Sequence, residues 1–471
     1  MSGLLREDQA AALRMALSHV LEEAPGWKFD QWGDKGVSQS DFAHALTVLR
    51  PRGRKQHPNS VEFGPDSMLG EELPSCPTAT EQQVWTICTD LMVVLANVLH
   101  EIPFVGWFLA SLVEIMWPES NEDPWCAVSQ FVEQMIDQKI AEEVKKRNDT
   151  YLRNLKGVLD DYLLSVDPAQ GNPGWYISQN FQVAEGLFEG NEFNFQEPGY
   201  EVLLLTDFAQ FANMYLGLLR DAVLYGESWG YTPAAVKGYE DKMTALTATY
   251  TEYANHWYQQ GLNDLVLPTN VPHQNVQQFN TKNRYIRTMT LGVLDYVAMW
   301  PYMNPANYPE PVKVKLTREI YSDAQGTHDN YSGFALDTAL RAPLTNLTVW
   351  GWDRIDAMKV AYGGVWGPRM GNSSGGSSSP PSGINTTVGA NSPHGALMVA
   401  YGRSGDILDA AGFTFADKFD TGMMGGGAGG GTAYTWSFQD QIVSKIQIMG
   451  VSQYYGSADC IVYGFRYADG Y

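Results

Sequence analysis

Residues 199–230 decide the fold, and they read GYEVLLLTDFAQFANMYLGLLRDAVLYGESWG. Within them, residues 200–225 predict one helix, roughly 40 Å long, that is apolar on nearly every face. Such a helix must be enclosed, either by other helices or by lipid. Five polar side chains interrupt it: Asp207, Gln210, Asn213, Arg220 and Asp221. This is too much polarity for a permanent membrane span, so the composition favours a central core helix.

The sequence on both sides of this stretch has helical periodicity. Apolar residues recur three or four positions apart through residues 140–166. Thr232 followed by Pro233 marks the start of another helix, and residues 276–303 predict a further one. Residues 81–305 therefore predict seven or eight helices with short connections, arranged as a bundle around the buried helix.

The composition changes after residue 309, where short alternating runs predict strands. A repeat in three copies places Asp356, Asp409 and Asp459 at intervals of 53 and 50 residues. Each copy is a β unit with one face to bury, which predicts three sheets about a pseudo-threefold axis, a β-prism. Residues 371–383, GNSSGGSSSPPSG, predict a flexible loop. The glycine run at 422–431 fits a tight connection between sheets.

The chain is therefore predicted to be a multidomain α and β protein. We expect an N-terminal extension at residues 1–80, a helical bundle at 81–308 and a β-prism at 309–471. The extension has no apolar core of a signal peptide, so we expect no secretion signal.

The extension contains a basic segment, RPRGRKQHPNS. Its charged residues are Arg50, Arg52, Arg54 and Lys55. The segment is either a solvated linker or a cleavage site for trypsin-like proteases, because nicking concentrates in exposed linkers.

The formal net charge of −22 argues against nucleic acid as a partner and against electrostatic docking on an anionic bilayer. The four cysteines form no CxxC pair and suggest neither a zinc site nor a disulfide scaffold. The eight histidines do not cluster. We expect no metal and no cofactor.

One segment matches the GxSxG pattern of hydrolases: Gly226-Glu-Ser228-Trp-Gly230. The hydrolase motif requires a strand before the serine and a helix after it. Here a long helix precedes Ser228, which places the serine in a turn between helices. We therefore expect no enzymatic activity.

The loop that runs from Gly402 through Arg403, Ser404 and Gly405 to Asp409 has two interpretations. A glycine-rich loop followed by an aspartate presents backbone N–H groups and a carboxylate to sugar hydroxyls. The alternative is a turn between strands in which Asp409 braces the loop, and the residues alone favour this alternative.

An acidic row precedes the long helix. Glu185, Glu189 and Glu192 recur at the i, i+4 and i+7 positions of a predicted helix in residues 172–195. For an isolated helix, such a row is a solvated face.

The helical half resembles the three-domain insecticidal delta-endotoxins, which are Cry-type pore-forming toxins. Blocks similar to those of the family occur in the family's order. They are residues 102–118, 132–140, 200–230, 251–263, 283–301 and 316–323. The prism fits the family's second domain, and its GRSGDILDA loop also looks similar to jacalin-type lectins. Two departures stand out: the family's third domain has no counterpart, and residue 215 is Tyr where many relatives have His.

The resemblance implies a mechanism. A protease removes an N-terminal segment near residues 50–55, and the prism loops engage a receptor, protein or glycan, on midgut cells. The protein oligomerises, and the hairpin of residues 172–195 and 200–225 inserts into the target-cell membrane. Glu185, Glu189 and Glu192, together with Asp207 and Asn213, are then the candidates for lining a cation-permeable pore. Arg220 and Asp221 are the candidates for charge pairing on the central helix.

The resemblance further implies a soluble or crystalline intracellular protoxin that acts at the plasma membrane of gut epithelial cells. The rival interpretation is a lectin-like binding protein that uses the helices as a scaffold and never inserts. A weak third one is an esterase acting through Ser228.

Overall fold

The structure is a computed structural model. It describes residues 80–471 apart from 101–104, 118–123, 137, 139, 311, 328–335, 427–430, 453–454 and 469–471. The chain divides into two compact units. The first contains the described residues up to Gln134, Gln138–Trp257 and Val293–Val314. The second contains Met135–Asp137, Tyr258–Gly292 and Lys315–Tyr471.

The helices follow the predicted order. They are α1 Glu81–His100, α2 Trp107–Met116, α3 Pro124–Ile136, α4 Glu142–Val166, α5 Gly174–Asn191, α6 Leu205–Tyr225, α7 Pro233–Asp264, α8 Gln274–Met289 and α9 Asp295–Met299. Short 3-10 turns follow α5, α6 and α9 at Glu192–Phe195, Gly226–Trp229 and Trp300–Met303. The helical unit therefore surrounds one central element, α6.

The central helix is buried along most of its length. Every residue from Leu205 to Ala222 is buried, which confirms the prediction of an enclosed core helix. Its start was predicted wrongly, because residues 201–204 form turns and α6 begins at Leu205. Gly199, at φ +87°, redirects the chain here, and its N–H donates to the Glu201 carboxylate at 2.8 Å.

Aromatic rings fill the space around α6. Phe188 of α5 stacks on Tyr215 at a centroid distance of 5.3 Å, and Phe208 meets Tyr250 of α7 edge-on at 5.2 Å. Offset and edge-to-face contacts of this kind add to the energy of burial. On α6, Gly217 lets α2 approach closely, since a Cβ there would lie 2.3 Å from the Phe108 ring. The packing fixes α6 against α2, α5 and α7.

The predicted helix of residues 276–303 is helical throughout but not uniform. A π-helical turn at Thr290–Leu294 separates α8 from α9. In the second unit, α8 packs beside the strands through Val276, which shares an apolar cluster with Tyr321 and Val462. Arg287 of α8 is fully buried, donating to the Tyr321 carbonyl at 2.7 Å and to Asp323 at 3.1 Å.

The described strands form three antiparallel sheets. They are β1 Ile320–Tyr321, β2 Gln325–Gly326, β3 Leu344–Gly351, β4 Ile355–Tyr362, β5 Val365–Trp366, β6 Met370–Gly371, β7 Ile384–Thr387, β8 Leu397–Ser404, β9 Leu408–Phe415, β10 Met424–Gly425, β11 Thr432–Trp436, β12 Gln441–Val451 and β13 Ala458–Tyr467. The strand orders are β1-β13-β12 with β2 on β13, β10-β9-β8-β11, and β5-β4-β3-β7 with β6 on β4. This is the predicted three-sheet β-prism.

The internal repeat maps onto the long hairpins of the three sheets. Each copy supplies the second strand of a hairpin, in the pairs β3–β4, β8–β9 and β12–β13. Asp356, Asp409 and Asp459 are each the second residue of that strand. Inward side chains join the sheets: Phe413 meets Tyr463 edge-on at 6.1 Å, and the Tyr463 hydroxyl lies 3.0 Å from that of Tyr434.

Two sequence-based expectations need correction. The Gly/Ser-rich segment 371–383 is tied to the β3–β4 hairpin, because Gly351 and Ser377 exchange backbone hydrogen bonds of 3.1 and 2.9 Å. Of the cysteines in the described ranges, Cys88 and Cys460 are free and buried, whereas Cys126 is in a disulfide that the cysteine spacing did not predict.

Candidate functional site

The acidic row of α5 is engaged inside the helical unit. Glu185 is 15% exposed and forms an ion pair with Lys242 of α7. It also accepts a hydrogen bond from the Tyr215 hydroxyl of α6 at 3.2 Å. Glu189 lies 3.3 Å from the same ammonium group, and Glu192 begins the 3-10 turn after α5. A single lysine thus joins α5 to α7 beside the central helix.

The electrostatics of Lys242 reflect these contacts. Burial alone would lower the pKa of its ammonium group, but hydrogen bonds with Glu185 and Tyr215 raise the pKa above the usual range. The group also lies 5.6 Å from the centroid of the Tyr215 ring, a cation–π contact. The sequence did not identify this lysine, because it is separated from Glu185 by 57 positions.

The polar residues of α6 have partners within the helical unit. Asp207 accepts a hydrogen bond from Ser129 of α3 at 2.9 Å. Asn213 accepts one from the Trp300 indole at 2.7 Å and donates to Gln210 at 3.0 Å. Buried polar groups without such bonds would cost stability. Asp207, Asn213 and the amide oxygen of Gln210 are therefore engaged in this state, whereas the buried Gln210 Nε2 has no hydrogen-bond partner.

The two charged residues at the end of α6 lead to separate partners. Arg220 donates to the Met303 carbonyl at 2.6 Å. Asp221 Oδ2 accepts from the Gly106 amide, which precedes α2, and from the Tyr162 hydroxyl of α4, both at 2.9 Å. Burial and the neighbouring Asp221 charge raise the pKa of Tyr162 well above its usual value, so this hydroxyl remains a donor. Asp221 thereby connects three helices.

No helix among the described residues combines the length and the apolar character needed to cross a membrane. The predicted cleavage residues Arg50, Arg52, Arg54 and Lys55 lie outside the described part of the chain.

Ser228 lies where the sequence placed it, in the 3-10 turn between α6 and α7. Its hydroxyl donates to the Tyr225 carbonyl at 2.6 Å, and the element directly before its turn is the helix α6, not a strand. The context that a nucleophile elbow requires is therefore missing. Within the ranges that the structure covers, no group of three or more His, Cys, Asp or Glu side chains could hold a metal ion.

The second region of interest is the end of the prism where the long hairpins turn. Asp409 is half-buried there, and its Oδ2 faces Gly431, where a Cβ would lie only 2.5 Å away. Burial raises the pKa of the Asp409 carboxyl, against the opposing charge of Arg354. The Arg403 guanidinium donates to the Gly431 carbonyl at 2.9 Å. The Asp409 carboxylate therefore lies in a narrow space beside Gly431 and Arg403, which we call the cradle. Any side chain at position 431 would fill this space.

The other residues of the predicted loop, Ser404, Gly402 and Gly405, have different surroundings. Ser404 donates to Gln325 at 3.3 Å. Gly402 belongs to the strand packing, because a Cβ there would lie 2.1 Å from the Ala410 carbonyl oxygen. Gly405 lies beside the cradle, where its added Cβ would be 3.7 Å from Asp409 Oδ2.

Sequence reasoning missed the aromatic residues at the same end of the prism. Trp352 is 62% exposed at the β3–β4 turn, and Tyr455, in the β12–β13 turn, lies under the Arg354 guanidinium at 4.6 Å. The available signal was an aromatic residue four positions before two of the three repeated aspartates, Asp356 and Asp459. The described glycines of the run at 422–431 allow two sheets to approach closely at this end of the prism. A Cβ at Gly426 would lie 1.8 Å from the Asp353 carbonyl oxygen.

Comparison with known proteins agrees with the helical unit. Residues 92–304 match the family described as the delta endotoxin, N-terminal domain. These residues are therefore similar to the N-terminal domain of the delta-endotoxins. Pesticidal crystal protein Cry8Ba of Bacillus thuringiensis serovar kumamotoensis is 31% identical over 268 residues, covering 55% of this chain and 22% of that protein. Cry19Aa of B. thuringiensis subsp. jegathesan is 36% identical over 242 residues, covering 46% and 36%.

Solved structures extend the likeness in fold to both units. The insecticidal delta-endotoxin Cry8Ea1 from B. thuringiensis superposes with a TM-score of 0.67 at 22% identity, covering 83% of this chain and 74% of that one. PirB superposes with a TM-score of 0.63 at 12% identity, covering 81% and 96%. At these identities the likeness shows the fold. The chain matches about a fifth to a third of the length of the curated relatives named above.

Proposed function

We propose that this protein is an insecticidal pore-forming toxin of the delta-endotoxin type whose α5–α6 hairpin, residues 172–195 and 200–225, enters the target membrane. The observation that carries the proposal is α6 itself, a helix of 21 residues that is buried from Leu205 to Ala222 within a delta-endotoxin domain. Its length, roughly 30 Å, equals the hydrocarbon thickness of a bilayer. The related proteins are pesticidal crystal proteins by name.

The polar contacts of the helical unit suggest how α6 remains enclosed before insertion. Lys242 holds α5 to α7, and Asp221 holds α6 to α2 and α4. These bonds must break before α5 and α6 leave together. In the membrane, Glu185, Glu189 and Glu192 then face water in the lumen, because lipid does not tolerate free carboxylates. Such a lumen favours cations.

Activation and recognition complete the proposed sequence of events. A gut protease cleaves the crystalline or soluble protoxin near Arg50–Lys55. The hairpin end of the prism then binds a receptor on midgut epithelial cells, using the cradle around Asp409. Oligomerisation of the bound toxin precedes insertion into the plasma membrane. The exposed Trp352 ring at the β3–β4 turn and the half-buried Asp409 carboxylate near the β8–β9 turn support a recognition role for this end of the prism.

The test is dye release from vesicles of midgut membrane, with and without trypsin pretreatment. We expect release only after proteolysis, and cation selectivity in planar bilayers that falls when Glu185 and Glu189 are replaced by Gln. Binding to the vesicles without release under any activation condition would refute the pore and favour the non-lytic lectin-like protein. Ester hydrolysis that disappears with Ser228→Ala would revive the esterase interpretation.

A further inference from the structure

The contacts of Glu185 divide according to which helices move during the proposed insertion, in which α5 and α6 leave together and α7 stays behind. The Glu185 carboxylate is paired with Lys242 of α7 and accepts a hydrogen bond from the Tyr215 hydroxyl of α6 at 3.2 Å. Separation from α7 removes the ion pair, whereas the hydrogen bond from Tyr215 lies inside the hairpin. Glu185 therefore takes one of its two donors into the membrane.

Aromatic packing keeps Tyr215 beside α5. The Phe188 ring, three residues after Glu185, stacks on Tyr215 at a centroid distance of 5.3 Å and meets Phe211 at 5.4 Å. Phe195, in the turn after α5, stacks on Phe211 at 5.0 Å. All four rings are fully buried and belong to the hairpin, so separation from α7 breaks none of these contacts. The hairpin is thus assembled before it moves.

The other two glutamates of the acidic row have different partners. Glu189 is 64% exposed, and its 3.3 Å contact is with the ammonium group of α7. Glu192 interacts with Tyr250 of α7 and with Gln196 in the connection between α5 and α6. Within the part of the chain that the structure describes, α6 therefore holds one glutamate of the row, which is Glu185.

The position of Tyr215 along α6 gives the depth of this pair in a membrane. Tyr215 is the middle residue of α6, equally far from Leu205 and Tyr225. At 1.5 Å per residue, it lies roughly 15 Å from either end, which is the middle of a hydrocarbon layer roughly 30 Å thick. A carboxylate at this depth must face water. In an oligomer, one Glu185 per chain forms a ring of acidic groups at a single depth, and such rings select cations.

We propose that Tyr215 is the positioning residue for cation selection, because its hydroxyl holds the Glu185 carboxylate toward the lumen at the middle of the inserted hairpin. A hydrogen bond to a charged group favours the bonded orientation by about tenfold or more. Without this bond, the glutamate side chain populates its other rotamers, and the ring of charge loses its fixed position. The inference rests on the proposed pore and names the pair of residues that sets its selectivity.

The test uses the protease-activated full chain in planar bilayers under a potassium chloride gradient, where the reversal potential measures cation selectivity. Tyr215→Phe removes only the hydroxyl, and the soluble protein keeps the pair of Glu185 with Lys242. We expect its reversal potential to move toward zero by about half or more of the shift that Glu185→Gln causes. The double variant should lose no more selectivity than Glu185→Gln alone, because the hydroxyl acts through that carboxylate. Tyr225→Phe, at the end of the same helix, is the matched control and should leave the reversal potential unchanged.

A second variant separates position from charge while Tyr215 stays intact. Glu185→Asp keeps the negative charge but shortens the side chain by one methylene, which takes the carboxylate away from the hydroxyl. Its selectivity should fall as in Tyr215→Phe, and Glu189→Gln should cause a smaller loss than Glu185→Gln.

The outcomes separate this role from the pore itself. Channels of unchanged reversal potential in both Tyr215→Phe and Glu185→Asp would overturn the positioning role and leave the pore in place. Additive losses in the double variant would also overturn it, because Tyr215 would then act independently of Glu185. Absence of channels and of dye release from the activated, unmodified protein would overturn the pore and this role together.

Discussion

Lys242→Met tests the contact that holds α5 in the helical unit. Methionine keeps the unbranched apolar stem of lysine and removes the ammonium group. The substitution therefore deletes the ion pair with Glu185, the 3.3 Å contact with Glu189 and the cation–π contact with Tyr215. Glu185 keeps the hydrogen bond that the Tyr215 hydroxyl donates.

The expected loss is about 2–3 kcal/mol in the free energy of unfolding of the helical unit. Hydrogen bonds to charged groups contribute about 1.5–3 kcal/mol, and the Lys242 and Glu185 side chains are only 26% and 15% exposed. Glu189 adds little, because its carboxylate is 64% exposed. For a unit of this size the melting temperature should fall by roughly 5–10 °C.

Calorimetry and vesicle leakage measure the two consequences. Lys237→Met is the matched control, since Lys237 lies on the same helix but is 59% exposed and pairs only with near neighbours in the sequence, Glu240 and Asp241. Its melting temperature should hardly change. If α5 leaves α7 before insertion, the energy lost in Lys242→Met lowers that barrier, and protease-activated leakage should accelerate by roughly tenfold or more. Unchanged melting and unchanged leakage in Lys242→Met would refute the role of this lysine.

Three more outcomes follow from the contacts. Asp221→Ala should lower the free energy of unfolding by about 3 kcal/mol, because Tyr162 and Gly106 lose their common acceptor. Asp221→Asn keeps an acceptor oxygen at this position, so denaturant titration should show a much smaller loss of stability. Gly217→Val should cost about 1–3 kcal/mol through the clash with Phe108, and a stability that Phe108→Ala does not partly restore would contradict the close approach. Burial raises the pKa of the Asp409 carboxyl above 3.8, and sugar binding at this residue needs the ionised carboxylate. Sugar binding measured by calorimetry should therefore be present above the raised pKa and disappear as the pH falls through it. Binding that persists when the carboxyl is protonated would exclude this role.

The sequence predicted the features that depend on periodicity. The apolar character of α6 required enclosure, and the structure buries it from Leu205 to Ala222. The spacing of Asp356, Asp409 and Asp459 required three equivalent strands, and each aspartate is the second residue of its strand. Such patterns are visible locally because burial repeats with the period of the element.

The sequence did not predict features that depend on distant contacts. Nothing near Glu185 indicates Lys242, and nothing in the Gly/Ser-rich composition of 371–383 indicates that Gly376 covers Asp356. The five-residue error at the start of α6 has a local cause, because the turn after Gly199 delays the helix while the residues remain apolar. The partners of Arg220 and Asp221 are likewise set by the packing of the bundle, which a helical pattern does not encode.

Insertion of the α5–α6 hairpin is tested most directly by a dye placed on α5. Val183 is 53% exposed on this helix, so Val183→Cys can be labelled with an environment-sensitive fluorophore, while the free Cys88 and Cys460 are buried. After protease activation and addition to midgut-lipid vesicles, we predict a blue shift, quenching by a lipid-embedded quencher and dye release together. Release without quenching, or membrane binding with neither signal, would contradict insertion of this hairpin.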